Sequence, residues 1–243
     1  MSEIESKFSR VRERIAQMEA AHRRPVGAVT LVAVSKRHSA DKVVALARLG
    51  QRDMAENYAQ EGVEKIREVA RLLGGGDGDG ANGDDGDGAL RWHFIGHLQS
   101  RKCKLVAEHF AWVHTIDSVK VADKLNHGRA GRAPLNVLIQ LNLQAETSKS
   151  GIGADELPRL AEAVAALPNL RLRGLMILPA AERAVERQRA VFRRCRALRD
   201  DLNARGFALD HLSMGMTDDM ESAIAEGATM VRIGTALFGQ RPA

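Results

Sequence analysis

Aromatic residues are scarce in this chain: 4% of its 243 residues, with one tyrosine, against 44% hydrophobic residues overall. Its core must therefore be aliphatic. The scarcity also argues against a surface that stacks the bases of single-stranded nucleic acid, which interleaves aromatics with basic residues. Cysteine is almost absent too. Cys103 and Cys195 lie far apart, without metal-ligand or redox spacing, as expected of a reduced pair in a cytosolic protein. No window approaches the roughly 18 apolar residues of a membrane span. The N-terminal MSEIESKFSR carries acids and lacks the apolar stretch of a signal peptide. The chain is expected to be soluble and cytoplasmic, with no membrane or nucleic-acid partner. Its formal charge of +5 is read as a solvated, arginine-rich surface.

What is present is alternation. Ile4, Phe8, Val11, Ile15 and Met18 recur at helical spacing and predict an N-terminal amphipathic helix. A short β-branched run, Val29–Val34, follows. Further strands are predicted at Arg52–Ala55, Trp92–Ile95, Trp112–Ile116, Asn136–Leu141, Leu172–Ile177, His211–Ser213 and Met230–Ile233. Helical patterns separate them, at Asp41–Leu49, Ala59–Leu73, Lys102–Glu108, Val119–His127, Ala154–Ala166, Ala184–Ala204 and Asp218–Glu226. Short apolar strands alternating with helices imply a parallel sheet covered on both faces. Eight such units suggest a closed (β/α)8 TIM barrel, an open doubly wound sheet being the other solution.

One stretch breaks the rhythm. Gly74–Gly88 is nearly all Gly and Asp, with nothing to bury and much backbone entropy to lose, and reads as a disordered insertion. Its Asp-x-Asp-Gly pieces lack the regular spacing and terminal Glu of a calcium loop.

Two features suggest chemistry. Lys36 ends the first strand, directly after Ala33-Val34-Ser35. An ammonium there either emerges into solvent or is partly buried, with a lowered pKa suited to attack on a carbonyl. Catalytic groups of a barrel converge at the C-terminal ends of its strands. Ser213-Met214-Gly215 and Arg232-Ile233-Gly234-Thr235 come at the seventh and eighth strands, where such barrels often hold phosphate on small residues and hydroxyls. Lys149, in a polar Gly-containing loop, is the rival amine. His93 and His97 flank the third strand's end without a metal-ligand pattern and read as core or rim residues.

The stretches Leu31–Lys36, Glu56-Asn57-Tyr58, His93–Gln99, Ser148–Gly151, Gly174-Leu175-Met176 and Leu212–Gly239 together resemble the pyridoxal phosphate homeostasis family, also called the proline synthase co-transcribed homologue family. The resemblance covers nearly the whole chain outside the Gly/Asp stretch. It implies one domain over residues 1–243, a fold-type III barrel similar to the N-terminal domain of alanine racemase, with an extra N-terminal helix. It implies pyridoxal 5′-phosphate (PLP) as cofactor, held as a Schiff base on Lys36. Ser213, Gly234 and Thr235 would cradle the phosphate, with Met214 and Gly215 lining the cradle. Arg232 would face the pyridine nitrogen, a phosphate clamp or structural ion pair being its alternatives. Asn57 would lie near the cofactor, or merely close a turn. Arg101 stands where the family often has Asn, which leaves the proposed cofactor residues untouched.

The function implied is storage or delivery of PLP and vitamin B6 homeostasis, affecting amino-acid and keto-acid pools indirectly. PLP-dependent apoenzymes would be recipients, and the chain itself a monomer or weak dimer. The alternative is an amino-acid racemase, which needs a second acid/base opposite the lysine. In alanine racemase that group is a tyrosine from a separate C-terminal domain, and the only tyrosine of this sequence is Tyr58.

Overall fold

The computed structural model describes residues 2–74, 89–144 and 150–240. The Gly/Asp stretch beyond Gly74 and the rival lysine Lys149 lie outside the described residues. The chain order is α1 (Glu3–Ala21), β1 (Thr30–Val34), α2 (Ala40–Arg48), β2 (Asp53–Glu56), α3 (Ala59–Leu72) and β3 (Arg91–Phe94). It continues with α4 (Cys103–His109), β4 (Trp112–Ile116), α5 (Val119–Gly128), β5 (Leu135–Leu141), α6 (Leu157–Ala165) and β6 (Leu170–Ile177). Last come α7 (Val185–Ala204), β7 (His211–Ser213), α8 (Met220–Ala225), β8 (Met230–Ile233) and α9 (Thr235–Phe238).

The strands follow chain order around a closed barrel, and β8 pairs in parallel with β1. The (β/α)8 expectation holds, and the open sheet is excluded. Every strand has two neighbours, so no backbone edge is left unpaired. Because side chains alternate along a strand, each strand serves two cores. Leu31 and Ala33 face the helices, whereas Val32 and Val34 join Ala55, Trp112, Leu138, Met176 and Met230 in a smaller cluster inside the barrel. That interior also buries Asp53, His93, His114, Ser213 and Arg232.

The N-terminal helix begins with a capping box between Ser2 and Glu5, and buries Val11, Ile15 and Met18. Its buried Glu19 accepts hydrogen bonds from Gly27 N and Val29 N at 3.0 and 2.8 Å, holding the turn into β1. Two helices are shorter than expected by more than a residue, and one short helix was not expected. The sixth helix starts at Leu157 with Pro158 in its first turn, after a turn at 154–156. The eighth is shortened because Asp219 accepts from Met216 N at 2.6 Å and so closes the preceding turn. The four-residue α9 escaped periodicity, since a single turn shows no period.

Candidate functional site

A cavity of about 540 Å³ opens at the C-terminal end of the barrel, within the range usual for small-molecule sites. Lys36, Asn57, Arg232, Gly234 and Thr235 line it, with His38 and Asp218. Five of the eight residues expected from sequence thus meet in one place, although they come from the ends of β1, β2 and β8. Position at these strand ends is the common factor.

Lys36 is half-buried, and the residues on either side of it are anchored. Ser35 N donates to Ala55 O at 2.9 Å, and Ser35 Oγ donates to Glu56 Oε1 at 2.6 Å. Lys65 Nζ, buried on α3, donates to Ser35 O at 2.7 Å and to Glu56 Oε1 at 2.6 Å, and approaches Glu61 Oε1 at 3.3 Å. Glu61 in turn accepts from Arg37 N at 2.6 Å. Arg37 itself is left-handed, at φ 61°, a conformation that a non-glycine residue adopts at a cost. Burial raises the Glu56 carboxyl above its ordinary pKa, and the Lys65 charge and the hydrogen bonds from Lys65 and Ser35 offset this only in part. A buried ion pair therefore brackets the backbone of Lys36. Nothing in the sequence reading singled out Lys65. Its signal was a lysine among Gly62, Val63, Ile66 and Val69, on the inward face of α3.

Arg232 is buried, with Nη1 donating to Ser213 Oγ at 2.7 Å and Nη2 to Ile177 O at 2.9 Å. Burial lowers its pKa to about 10, so it remains a cation at neutral pH. Asn57 Oδ1 is buried without a hydrogen-bond partner, an acceptor that a ligand donor would satisfy. Gly96 holds Asn57 in place by its lack of a side chain, because a Cβ there would lie 1.9 Å from Asn57 O. At the end of β8, Leu237 N and Phe238 N both turn back to Gly234 O at 2.9 Å. The first N–H groups of this turn have no partner within it, and the Thr235 side chain is exposed beside them.

Ser213, Met214 and Gly215 sit one layer further in. Ser213 is fully buried between Arg232 and His114, and Met214 packs in the core between sheet and helices. Gly215 is left-handed at φ 96°, with α8 so close that a Cβ would meet Ala223 Cβ at 2.6 Å. Its carbonyl accepts from Arg232 N at 3.0 Å. His93 is a core residue and His97 an exposed rim residue, 2.9 Å from Ser150 Oγ.

The model of the family "Alanine racemase, N-terminal domain" matches residues 7–242. A pyridoxal phosphate homeostasis protein of Escherichia coli is 49% identical over 99% of this chain and 98% of its own. The chain belongs to the pyridoxal phosphate homeostasis protein family. A second family member, from Pseudomonas aeruginosa, is likewise 49% identical, over 99% of this chain and 97% of its own. Among solved structures, PipY of Synechococcus elongatus with PLP bound superposes with a TM-score of 0.76 at 33% identity, covering 93% of this chain and 100% of that one.

The donor set fits such a cofactor. It offers a half-buried primary amine, a cation that stays charged, an unpartnered buried acceptor and a turn whose first N–H groups have no partner within it, all around one cavity. No described helix is long and apolar enough to cross a membrane.

Proposed function

We propose that this chain binds PLP in the barrel-end cavity, joined through Lys36 Nζ, and serves PLP homeostasis by holding the cofactor and passing it to PLP-dependent apoenzymes. The observation that carries this reading is the meeting of Lys36, Asn57, Arg232, Gly234 and Thr235 around one cavity. When bound, the cofactor supplies an aldehyde and an electron-withdrawing ring. Lys36 provides the amine, and the Glu56–Lys65 pair keeps its backbone in register. Thr235 and the N–H groups after Gly234 would take the phosphate. Arg232 would face the pyridine nitrogen, where a cation disfavours protonation and weakens the ring as an electron sink. That arrangement suits a carrier better than an efficient racemase. The exposed Tyr58 supports the same preference, since it lines a neighbouring depression and not the cavity of Lys36.

The test is to add PLP to purified protein, follow the imine absorbance, reduce with borohydride and map the modified peptide. Label on Lys36 is expected. Label on Lys149 would overturn the site, and no absorbance change would overturn the function. Incubating loaded protein with single amino-acid enantiomers then separates carrier from racemase. Loss of optical activity beyond one equivalent would refute the carrier.

A further inference from the structure

A line of buried polar side chains crosses the barrel from its amino-terminal mouth to the cavity. Arg91 Nη2, partly exposed at the start of β3, donates to Asp53 Oδ2 at 2.7 Å. Asp53 Oδ1 lies 3.0 Å from His93 Nε2, and His93 Nδ1 lies 2.9 Å from His114 Nε2. His114 Nδ1 lies 2.9 Å from Ser213 Oγ, which Arg232 Nη1 reaches at 2.7 Å. Both imidazoles and the Ser213 side chain are sealed from solvent. Trp112 stacks on His93 with 5.5 Å between ring centroids and 10° between planes.

The two ends of this line constrain its direction. Arg232 can only donate. Asp53 is held near pKa 2, where the hydrogen bonds from His93 and Arg91 outweigh the opposing effect of burial, so it can only accept. His114 is kept neutral by burial and by the neighbouring His93 and Arg232, all of which hold its pKa well below 6.5. A neutral imidazole has one N–H and one acceptor, and the serine has one proton. When both rings are in that form, one assignment satisfies every contact. Arg232 donates to Ser213, Ser213 to His114 Nδ1, His114 Nε2–H to His93 Nδ1, and His93 Nε2–H to Asp53.

We propose that Ser213 and His114 are positioning residues that hold the Arg232 guanidinium at the cavity through this one-directional chain, and that Ser213 is not a phosphate ligand. The Ser213 hydroxyl is sealed from solvent between Arg232 and His114 and does not line the cavity, so it does not face an anion there. Two donors of Arg232 are committed, one to Ser213 and one to Ile177 O, which fixes the plane of the group. The phosphate donors are then confined to the turn after β8. A further consequence is that Arg91, at the opposite mouth, belongs to the same network as the cavity.

The affinity arm of the test rests on the PLP reading, and the spectroscopic arm does not. Nitrogen-15 NMR of the cofactor-free protein at pH 7.5 should show His93 and His114 both neutral and both carrying the proton on Nε2. In Ser213→Ala the His114 Nδ1 resonance should move toward that of an unbonded ring nitrogen. An Nδ1–H tautomer or an imidazolium at either ring would overturn the direction of the chain, and the wild-type spectrum decides this even if no variant folds. In the affinity arm, Ser213→Ala should weaken PLP binding about tenfold, the size of one hydrogen bond to a charged group. The same change placed in an Arg232→Ala background should alter affinity less than twofold. An undiminished Ser213→Ala effect in that background would mean direct contact with the ligand and would overturn the positioning role. Should wild-type protein take up no PLP, the cofactor reading falls, and the tautomers still decide whether the chain exists.

Discussion

Replacing Lys65 with methionine probes the bracket around Lys36 at its most buried point. Methionine keeps much of the length and apolar stem of lysine and removes only the charge and its donors. What remains is the Glu56 carboxyl, fully buried, with one oxygen already lacking a partner and the other keeping only the Ser35 hydroxyl. Removing one partner of a buried ion pair destabilises by about 3–5 kcal/mol, because the surviving charge has no compensation. For a chain of this length that corresponds to a fall in Tm of about 6–20 °C.

The deficit should depend on pH in a definite direction. Burial already raises the folded-state pKa of Glu56, and two of the influences opposing that rise come from Lys65. Their loss raises the folded value further above the unfolded one. The folded variant then binds a proton that the unfolded chain has lost, so its stability increases as pH falls through the new folded pKa. Each pH unit of this window is worth about 1.4 kcal/mol. Urea titrations followed by circular dichroism, for wild type and Lys65→Met at several values between pH 5 and 8, measure the difference directly. A deficit near 4 kcal/mol at pH 8 that narrows toward pH 5 is expected, and adding Glu56→Gln should recover much of it. A deficit below about 1 kcal/mol, or one that stays constant with pH, would refute the assignment of Lys65 and Glu56 as a buried pair.

Other expectations follow from individual contacts. Gly96→Ala should weaken PLP binding at least tenfold while the fold survives, since its Cβ would drive Asn57 from the cavity wall; unchanged affinity in a ligand titration would count against Asn57 as a site residue. Asp53 contributes stability that is full above its ordinary pKa of 3.8 and is lost as pH falls toward its folded value of about 2. Its share is about 2 kcal/mol, so the gap between wild type and Asp53→Asn should close over that interval in acid denaturation. Burial pushes the Cys195 thiol up to about 12 and raises Cys103 as well. Neither should react with a disulfide reagent at pH 8 until denaturant is added, and rapid labelling of native protein would contradict their burial.

The barrel was legible because its strands are continuous apolar runs flanked by helical patterns, the signature of a parallel sheet buried on both faces. The meeting of Lys36, Arg232, Gly234 and Thr235 at one cavity was legible because strand ends could be counted along the chain. Other parts left no such trace. The partnership of Lys65 with Glu56 depends on which side of α3 faces the sheet at Ser35, and a lone lysine within an amphipathic pattern gives no sign of it. His93 and His114 are twenty-one residues apart in sequence and touch only because β3 and β4 are adjacent in register. Ser213 was placed at the phosphate by the family resemblance, and its side chain points into the barrel, toward groups on β4 and β8 that no local motif could reveal.

The pairing of β8 with β1 sets Val32 beside Arg232, which places the first and last strands of the sheet side by side. Lys36 follows one of these strands, and Gly234 and Thr235 follow the other. All the other strand pairings join consecutive strands, and each can form as the chain lengthens. This one must wait for the final strand. A chain still emerging from the ribosome, or one cut before β8, would carry the amine but neither the guanidinium nor the turn opposite it. On the proposed binding mode, the capacity to hold PLP therefore appears late and all at once, so a bound cofactor certifies a closed barrel.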